Sequence, residues 1–440
     1  MAAHCNFKDK INSWIEDAHK VVNNSLCCWR KQGPFYDQEA AIRFWSELPN
    51  DLLGEIINTI DLPQDYLNII AVCRRWRSVA HDLKSDPRRN LSFLHPLPKK
   101  FSLPILLQPY GKDSNSYYFY SITKREVYNI QVPDMGNKWI TGSWRGWLVT
   151  LDIADNNLIH LLNPVAKLKI PLPPLSTFPK PINSPIKFPW NISKIIIVSS
   201  ENVVEQHDCK IVALETLGSS LHICRIGDET WKKTVLSVPS TIMDIIEFRG
   251  ILYVVYNLGN LYAVETNPIT KMTLIAGTFP PDAARYYLVE SSKDLLLVAR
   301  YLKYTSGYTK TIGFKVYRLA ENKKGDPIPY NGGTFGLLPA PQGPAHKIWK
   351  DVKSLQGQML FVGRNRTLCL PSNLYPKCKG NCIYFADDNG IFDIYRASGH
   401  SLYLHDSGVY HMNNKTIEYF IKEMTYPLSL PSIWFSPNPW

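Results

Sequence analysis

A hairpin signature recurs at a near-constant interval through the chain, and few folds can satisfy it. Arg145-Gly146-Trp147-Leu148-Val149 is followed by Asn163-Pro164, and Arg249-Gly250-Ile251-Leu252-Tyr253-Val254 by Asn267-Pro268, with 18 residues from Gly to Pro in both and 104 between the copies. A looser copy, Gln356-Gly357-Gln358-Met359-Leu360-Phe361-Val362 and then Tyr375-Pro376, comes 107 residues later with an interval of 19. Each copy reads as a hairpin: Gly in a tight turn, an apolar strand, a second turn and strand, then Asn-Pro ending the pairing. A spacing near 104 residues corresponds to two four-stranded units of roughly 40–50 residues each. Weaker units fit around Ile195–Thr234 and Tyr287–Leu319. Residues 105–435 then hold a β-propeller of six or seven blades, a closure that leaves few exposed strand edges. A pair of β-sandwiches, the main rival, predicts no such repeat.

Composition agrees. Aromatic residues make up 12%, and 32 Pro outnumber 24 Gly, which favours many short strands and stiff loops. Strand-like runs punctuated by turn residues include Lys194–Ser199, Lys210–Glu215, Ser220–Ile226, Ile251–Tyr256, Asn260–Glu265, Asp294–Arg300, Gly313–Leu319, Gln358–Gly363 and Ile391–Arg396.

The first hundred residues have another character. Ile11, Trp14, Ile15, Ala18, Val21 and Val22 share one face of a helix predicted over 8–31, with Leu26 and Trp29 continuing it until Gly33-Pro34. That face packs on another part of the chain or on a partner. A short helix over 37–45 follows. From Trp45 the sequence runs Ser-Glu-Leu-Pro-Asn-Asp-Leu-Leu-Gly-Glu-Ile-Ile. Leu48-Pro49 suits a helix start, because proline has no N–H to leave unpaired and a fixed φ. Asp51 and Glu55 sit where the helix dipole favours acids. Leu52, Leu53, Ile56, Ile57 and Ile60 recur at helical spacing. Asp61-Leu62-Pro63 breaks the helix, Asp65 can cap the next, and Val72-Cys73-Arg74-Arg75-Trp76-Arg77 follows. Short helices with this much apolar surface cannot bury it among themselves. Phe44–Cys73 holds five acids and no Lys or Arg, whereas Arg74–Lys100 holds eight bases and two acids. Such asymmetry orients a partner more than it binds one.

Leu48-Pro49-x-x-Leu52-Leu53 and Val72-Cys73-Arg74-Arg75-Trp76-Arg77 resemble an F-box, the helical module that docks on a Skp-type adaptor of a cullin-RING ubiquitin ligase. The Gly-x-Leu-Tyr hairpins, the Gly142–Trp147 segment Gly-Ser-Trp-Arg-Gly-Trp and the tail Ser432-Ile-Trp-Phe-Ser-Pro-Asn-Pro-Trp440 extend the likeness to plant F-box proteins with a KIB-type β-propeller. The likeness runs from residue 45 onward and leaves the amino-terminal helices at 1–44 outside it; the whole reads as an α+β multidomain chain, with a helical F-box at 45–85, a linker at 86–104, an all-β propeller at 105–435 and a tail at 436–440. The resemblance implies that Leu48, Pro49, Leu52, Leu53, Ile56, Val72, Cys73 and Trp76 meet the adaptor, with some facing the internal helical core instead. Cullin and RING subunits follow through the adaptor, and the propeller holds a target protein for ubiquitination. A scaffold without productive ubiquitination is the alternative reading.

Other classes lack residues to carry them. There is no Gly-x-Ser-x-Gly elbow, phosphate-cradling loop or His-Glu-x-x-His. No cofactor is expected, and the chain is read as a binding protein and not an enzyme. Asp387-Asp388 looks like a carboxylate pair, but Asn389-Gly390 explains it as a hairpin turn. Net charge is +11, yet the bases are dispersed, which argues against nucleic acid. No run approaches a membrane span, and the amino-terminal residues lack an apolar signal region; a nuclear or cytoplasmic location is expected. Nine Cys are then free thiols, mostly buried. Cys369, Cys378 and Cys382, with His400, His405 or His411, do not match a zinc-finger spacing, so no metal is expected. For target binding the candidates are two Pro-rich stretches, Pro171 to Pro189 with seven prolines and Asn322 to Lys347 with five. Stiff loops lose little entropy on binding; variable solvent loops are the equal alternative.

Overall fold

The computed structural model describes residues 104–436, apart chiefly from 110–115, 153–157, 179–191, 199–209, 323–346, 389–405 and 421–431, and nearer the amino end residues 49, 50, 52, 53, 75, 76, 78 and 79. The chain divides into two compact units, Met1–Asn90 and Leu91–Trp440. The helices predicted at 8–31 and 37–45 lie outside the described residues. In the first unit, residues 50, 52 and 53 and residues 75, 76, 78 and 79 are helical.

The second unit is an all-β propeller. Its first sheet orders as β25 (Ile433–Phe435), β1 (Ile105–Pro109), β2 (Ser116–Ser121) and β3 (Glu126–Gln131). The last described strand thus pairs antiparallel with the first, Leu106 opposite Trp434. The second sheet is β4 (Lys138–Trp144), β5 (Trp147–Asp152), β6 (Ile159–Asn163) and β7 (Leu168–Leu172). The third is β8 (Ile192–Val198), β9 (Lys210–Glu215), β10 (Ser220–Arg225) and β11 (Lys232–Val235). An eight-stranded sheet joins two meanders: β12 (Ile242–Phe248) to β15 (Met272–Ala276) through β13 (Ile251–Tyr256) and β14 (Leu261–Val264), and β16 (Arg285–Glu290) to β19 (Lys347–Asp351) through β17 (Leu295–Thr305) and β18 (Tyr308–Glu321). They meet at one parallel pair, Ala276 opposite Lys347. The last sheet orders as β21 (Leu368–Pro371), β20 (Gln358–Val362), β22 (Cys382–Phe385), β23 (Gly408–His411) and β24 (Thr416–Tyr419).

Side-chain chemistry fixes which strand of each sheet lies inside. In β4, Lys-Trp-Ile-Thr-Gly-Ser-Trp is buried along all but its last residue, as suits a strand covered on both faces. The outer edge strands β7, β11 and β24 are mostly exposed or half-buried and carry Lys, Thr and Glu. Polar outer edges of this kind resist edge-to-edge pairing. Between successive sheets lie apolar clusters. Trp139, Trp147 and Leu151 pack with Ile195, Ile211 and Trp231; Leu106 and Tyr120 pack with Phe361, Tyr384 and Trp434.

The repeated hairpin has a common backbone basis. Arg249 and Gly250 take φ of 52° and 75°, and Gln356 and Gly357 take 52° and 80°. Two consecutive positive φ values match the right-handed twist of the flanking strands. Phe248 and Ile251 pair across the first turn, and Gln358 donates its N–H to the Leu355 carbonyl at 3.0 Å across the second. The third copy departs from the other two beyond its turn, because β20 runs parallel to β22 and folds back on β21. The runs predicted from Lys194 to Gly363 all overlap observed strands; Ile391–Arg396 lies outside the described residues.

Candidate functional site

In the helical unit, four of the residues assigned to the adaptor are described. Pro49 is exposed, and its carbonyl accepts the Leu53 N–H at 3.0 Å, closing the first helical turn. Leu52 is 40% exposed, whereas Leu53 is 0% and Trp76 8% exposed. Adjacent leucines on one helix turn therefore divide, one outward and one inward. The Arg75 guanidinium donates to Asn50 Oδ1 at 3.3 Å, linking the two helical pieces. Leu48, Ile56, Val72 and Cys73 lie outside the described residues.

In the propeller, the tip of the β20–β21 hairpin occupies the centre. Arg364 Nε donates to the Ser193 carbonyl at 2.7 Å and its Nη2 to the Ile192 carbonyl at 3.2 Å, both on β8. Asn365 Nδ2 donates at 2.9 Å to Ser143 Oγ on β4 and to the Trp434 carbonyl on β25. Thr367 Oγ1 donates to the Leu288 carbonyl on β16 at 2.6 Å. Four inner strands are thus tied to one five-residue turn. Its sequence, Gly363-Arg-Asn-Arg-Thr367, is a polar interruption between two apolar strands. That was the available signal, and it reads equally well as a solvent turn.

Beside this hub lies a cavity of about 400 Å³. Its walls come from the carboxy-terminal ends of β4, β12 and β16, from Lys194, Ile196 and Ile197 along β8, and from residues 365–369. Lys194 is buried there and donates to Asp244 Oδ1 at 2.6 Å; Asp244 also accepts the Ile245 and Leu288 N–H groups at 2.8 Å each. One carboxylate thereby joins three inner strands. Glu247, Glu290, Ser291 and Arg366 are among the polar lining residues, and Trp144, Ile196, Ile246 and Leu368 are among the apolar ones. Cys369 also lines the cavity, and burial raises its thiol to about 11.

A second buried network corrects the sequence reading of Asp387-Asp388. Asp388 is not merely a turn residue. It accepts Arg300 Nη1 at 2.8 Å and the Tyr287 hydroxyl at 2.5 Å. Arg300, 0% exposed, also donates to Asp406 Oδ2 at 2.8 Å, Thr311 Oγ1 at 2.8 Å and the Ala386 and Asp406 carbonyls at 3.0 Å each. Carboxylates on either side keep the guanidinium firmly protonated. Partners 88 and 106 residues away along the chain have no local signature.

Of the three cysteines considered as metal ligands, Cys378 and Cys382 border one apolar cluster and Cys369 another. Cys369 lies at the cavity, and Cys382 Sγ lies 3.3 Å from His411 Nδ1, with burial raising the Cys382 thiol to about 11. Among the described residues no three His, Cys, Asp or Glu side chains gather as a metal site. His400 and His405 lie outside them. Nor is any described helix long and apolar enough to cross a membrane.

Of the Pro-rich stretches, the first begins in the core. Leu172, Leu175 and Phe178 are buried, Phe178 stacks on His222 at 3.6 Å, and Trp231 Nε1 donates to the Pro173 carbonyl at 2.9 Å. Residues 179–189 of this stretch and residues 323–346 of the second lie outside the described residues. The flanking strand ends are informative. Leu172 and Ile192 are at the entry end of the inner strands, whereas Glu321 and Lys347, paired across β18 and β19, are at the cavity end.

Comparison with known proteins agrees with both units. The F-box domain family matches residues 45–88, and the KIB1-4 beta-propeller family matches residues 119–411. F-box protein SKIP23 of Arabidopsis thaliana is 26% identical, the match spanning 90% of this chain and 95% of that protein. F-box protein At2g26160 of the same plant is 23% identical over 78% of this chain and 96% of its own length. Among solved structures, the Cps50 (Swd1) beta-propeller domain of Myceliophthora thermophila superposes with a TM-score of 0.33 and 10% identity, covering 72% of this chain and 82% of that one. With the propeller family matched over most of the chain, this protein belongs to the F-box proteins that carry a KIB1-4 β-propeller.

Proposed function

We propose that the chain is the substrate receptor of an SCF-type ubiquitin ligase. Its F-box binds a Skp-type adaptor, which brings cullin and RING subunits, and its propeller holds a target protein. The chain performs no covalent step itself. It raises the local concentration of target lysines near a ubiquitin-charged enzyme, and proximity supplies the rate effect. The observation that carries this reading is the F-box match at 45–88 joined to a propeller. Outward Pro49 and Leu52 beside inward Leu53 and Trp76 support it, because a docking helix needs apolar side chains in both directions. Leu48, Ile56, Val72 and Cys73 complete the proposed contact set.

We further propose six blades. The three four-stranded sheets, the two meanders of the eight-stranded sheet and the five-stranded sheet account for them. Nuclear or cytoplasmic residence follows from the ligase role.

The test is co-purification of adaptor and cullin with the full chain, compared with a Leu48→Ala, Pro49→Ala double variant of equal thermal stability. Capture by the parent and loss in the variant is the expected result. Equal capture by both rejects the docking assignment. A target that accumulates on proteasome inhibition separates a working receptor from an F-box scaffold without productive ubiquitination.

A further inference from the structure

The hairpin of β17 and β18 outgrows its sheet. Its strands run 11 and 14 residues, against at most seven for any other described strand. On one side the ladder ends at the Arg300 carbonyl, which accepts the Ala284 N–H at 3.0 Å; on the other it ends at the Val316 carbonyl, which accepts the Val352 N–H at 2.8 Å. Beyond, among the described residues, the two strands pair only with each other, as far as Thr305 opposite Tyr308. From Leu295 to Ala320 the chain holds five bases and no acid. Three of those bases share one face of the hairpin. Lys303 stands directly opposite Lys310, and Lys315 stands opposite Ala299, four residues back along β17; alternate residues of a strand point the same way. Tyr301 lies between the two levels on that face, with Lys315 Nζ 5.2 Å from its ring centroid. Lys310 Nζ lies 4.1 Å from the ring centroid of Tyr419 on β24. Among the described residues no carboxylate pairs with any of these three lysines. The acids of adjoining elements are held elsewhere: Asp406 by Arg300, Asp294 by Arg318, Asp351 by Lys353 and Glu418 by Arg125.

Like charges directly opposite on paired strands are destabilising, and a bound anion relieves that repulsion. From the Lys303–Lys310 level to the Lys315 level is four residues, about 13 Å. That length fits an extended peptide with an acid at each end and one side chain between them over Tyr301. It is short for nucleic acid, whose affinity grows with the number of phosphates contacted. Ile312, the extra residue of a bulge in β18, is 57% exposed and adds apolar surface to the hairpin. We infer that this face docks an extended segment of the target protein with the pattern acid-x-apolar-x-acid, its carboxylates meeting Lys303, Lys310 and Lys315 and its apolar side chain resting on Tyr301. The inference rests on the receptor reading of the propeller and adds a surface and the chemistry of the target.

The test is fluorescence polarisation with the full chain and labelled nine-residue peptides. The probes carry Glu-x-Phe-x-Glu or Asp-x-Leu-x-Asp between Gly and Ser residues. Controls replace both acids by Gln, by Lys or by phosphoserine, and a single-stranded DNA nonamer stands for nucleic acid. The acidic probes should bind about tenfold more tightly than the Gln and Lys peptides, and binding should weaken as salt rises. A Lys303→Gln, Lys310→Gln, Lys315→Gln variant should bind them about tenfold more weakly without a lower melting temperature, because it removes like charges from paired strands. A Lys303→Arg, Lys310→Arg, Lys315→Arg variant should keep the affinity. Equal binding of acidic and Gln peptides, no binding of the acidic probes, unchanged affinity in the Gln variant, or binding of the phosphoserine peptide or the DNA alone overturns the proposal. Adaptor binding is measured in parallel. A chain that binds acidic peptides but no adaptor fails the ligase reading alone; one that binds adaptor and ignores acidic peptides fails this inference alone.

Discussion

Arg300→Met should be among the most damaging single substitutions in the propeller. The side chain is 0% exposed and bonds two carboxylates, Asp388 and Asp406, at 2.8 Å each. Methionine fills much of the volume but leaves both acids without their counter-charge. Removing one partner of a buried ion pair costs about 3–5 kcal/mol. The orphaned acids do not double that cost, because each keeps neutral donors. Asp388 retains the Tyr287 hydroxyl at 2.5 Å, and Asp406 retains the Thr311 N–H at 3.0 Å and hydroxyl at 2.6 Å. With an unfolding entropy of about 2.1 cal/mol/K per residue over roughly 330 residues, the expected loss is roughly 4–7 °C in melting temperature. Calorimetry on the full chain at pH 7 reads it. A second arm uses pH. Burial pushes an unpaired carboxylate toward its protonated form, so the native variant takes up protons where its unfolded chain does not. Its stability then rises relative to the parent as pH falls from 7 toward 5. A variant that melts within 1 °C of the parent, or a deficit that does not narrow with acid, would refute the reasoning.

Three further outcomes follow from the same structure. Trp434→Ala, at a 0% exposed residue whose indole N–H donates to the Val362 carbonyl at 2.9 Å, should cost about 3–5 kcal/mol in urea unfolding, because it empties the joint between the first and last sheets. Gly250→Ala, at φ +75° with nothing within 4 Å of the added carbon, should cost about 1 kcal/mol, whereas Gly142→Ala should cost more, because its new carbon would lie 2.7 Å from the Ile195 carbonyl oxygen. Burial first, then nearby Lys169 and Lys138, lowers His160 to about 4, and burial lowers His222 as well. The native state therefore holds fewer protons than the unfolded chain below about pH 6.5, so stability should fall as pH drops from 6.5 toward 4, and His160→Asn should flatten that slope in acid titrations followed by circular dichroism.

Local chemistry made the propeller legible, and long-range pairing did not. The Gly250 and Gly357 turns could be found because a two-residue hairpin of positive φ restricts sequence to a few dipeptides. The outer strand Lys232–Val235 was not legible, because Lys-Lys-Thr at an exposed edge reads as a loop. The central turn at Gly363–Thr367 was not legible, since Arg and Asn read as solvent residues until four inner strands offer them carbonyls and a hydroxyl. The Arg300 cluster was hidden for the same reason. Its acids sit beside turn residues in sequence and beside an arginine only in space. Pro171–Phe178 looked like a loop by its prolines, yet Leu172, Leu175 and Phe178 fill a core. In the helical segment, spacing predicted an apolar face. It could not say that Leu52 turns out while Leu53 turns in, a partition set by what each packs against.

That partition gives the most direct measurement of the receptor account. A purified Skp-type adaptor is titrated calorimetrically into the full chain and into Leu52→Ala and Leu53→Ala variants, with melting temperatures recorded alongside. The parent should bind, Leu52→Ala should lose about 1–4 kcal/mol of adaptor affinity without losing stability, and Leu53→Ala should lose about 2–5 kcal/mol of stability in its helical unit. Failure of the parent to bind adaptor, or a Leu52→Ala affinity equal to the parent's, would contradict it.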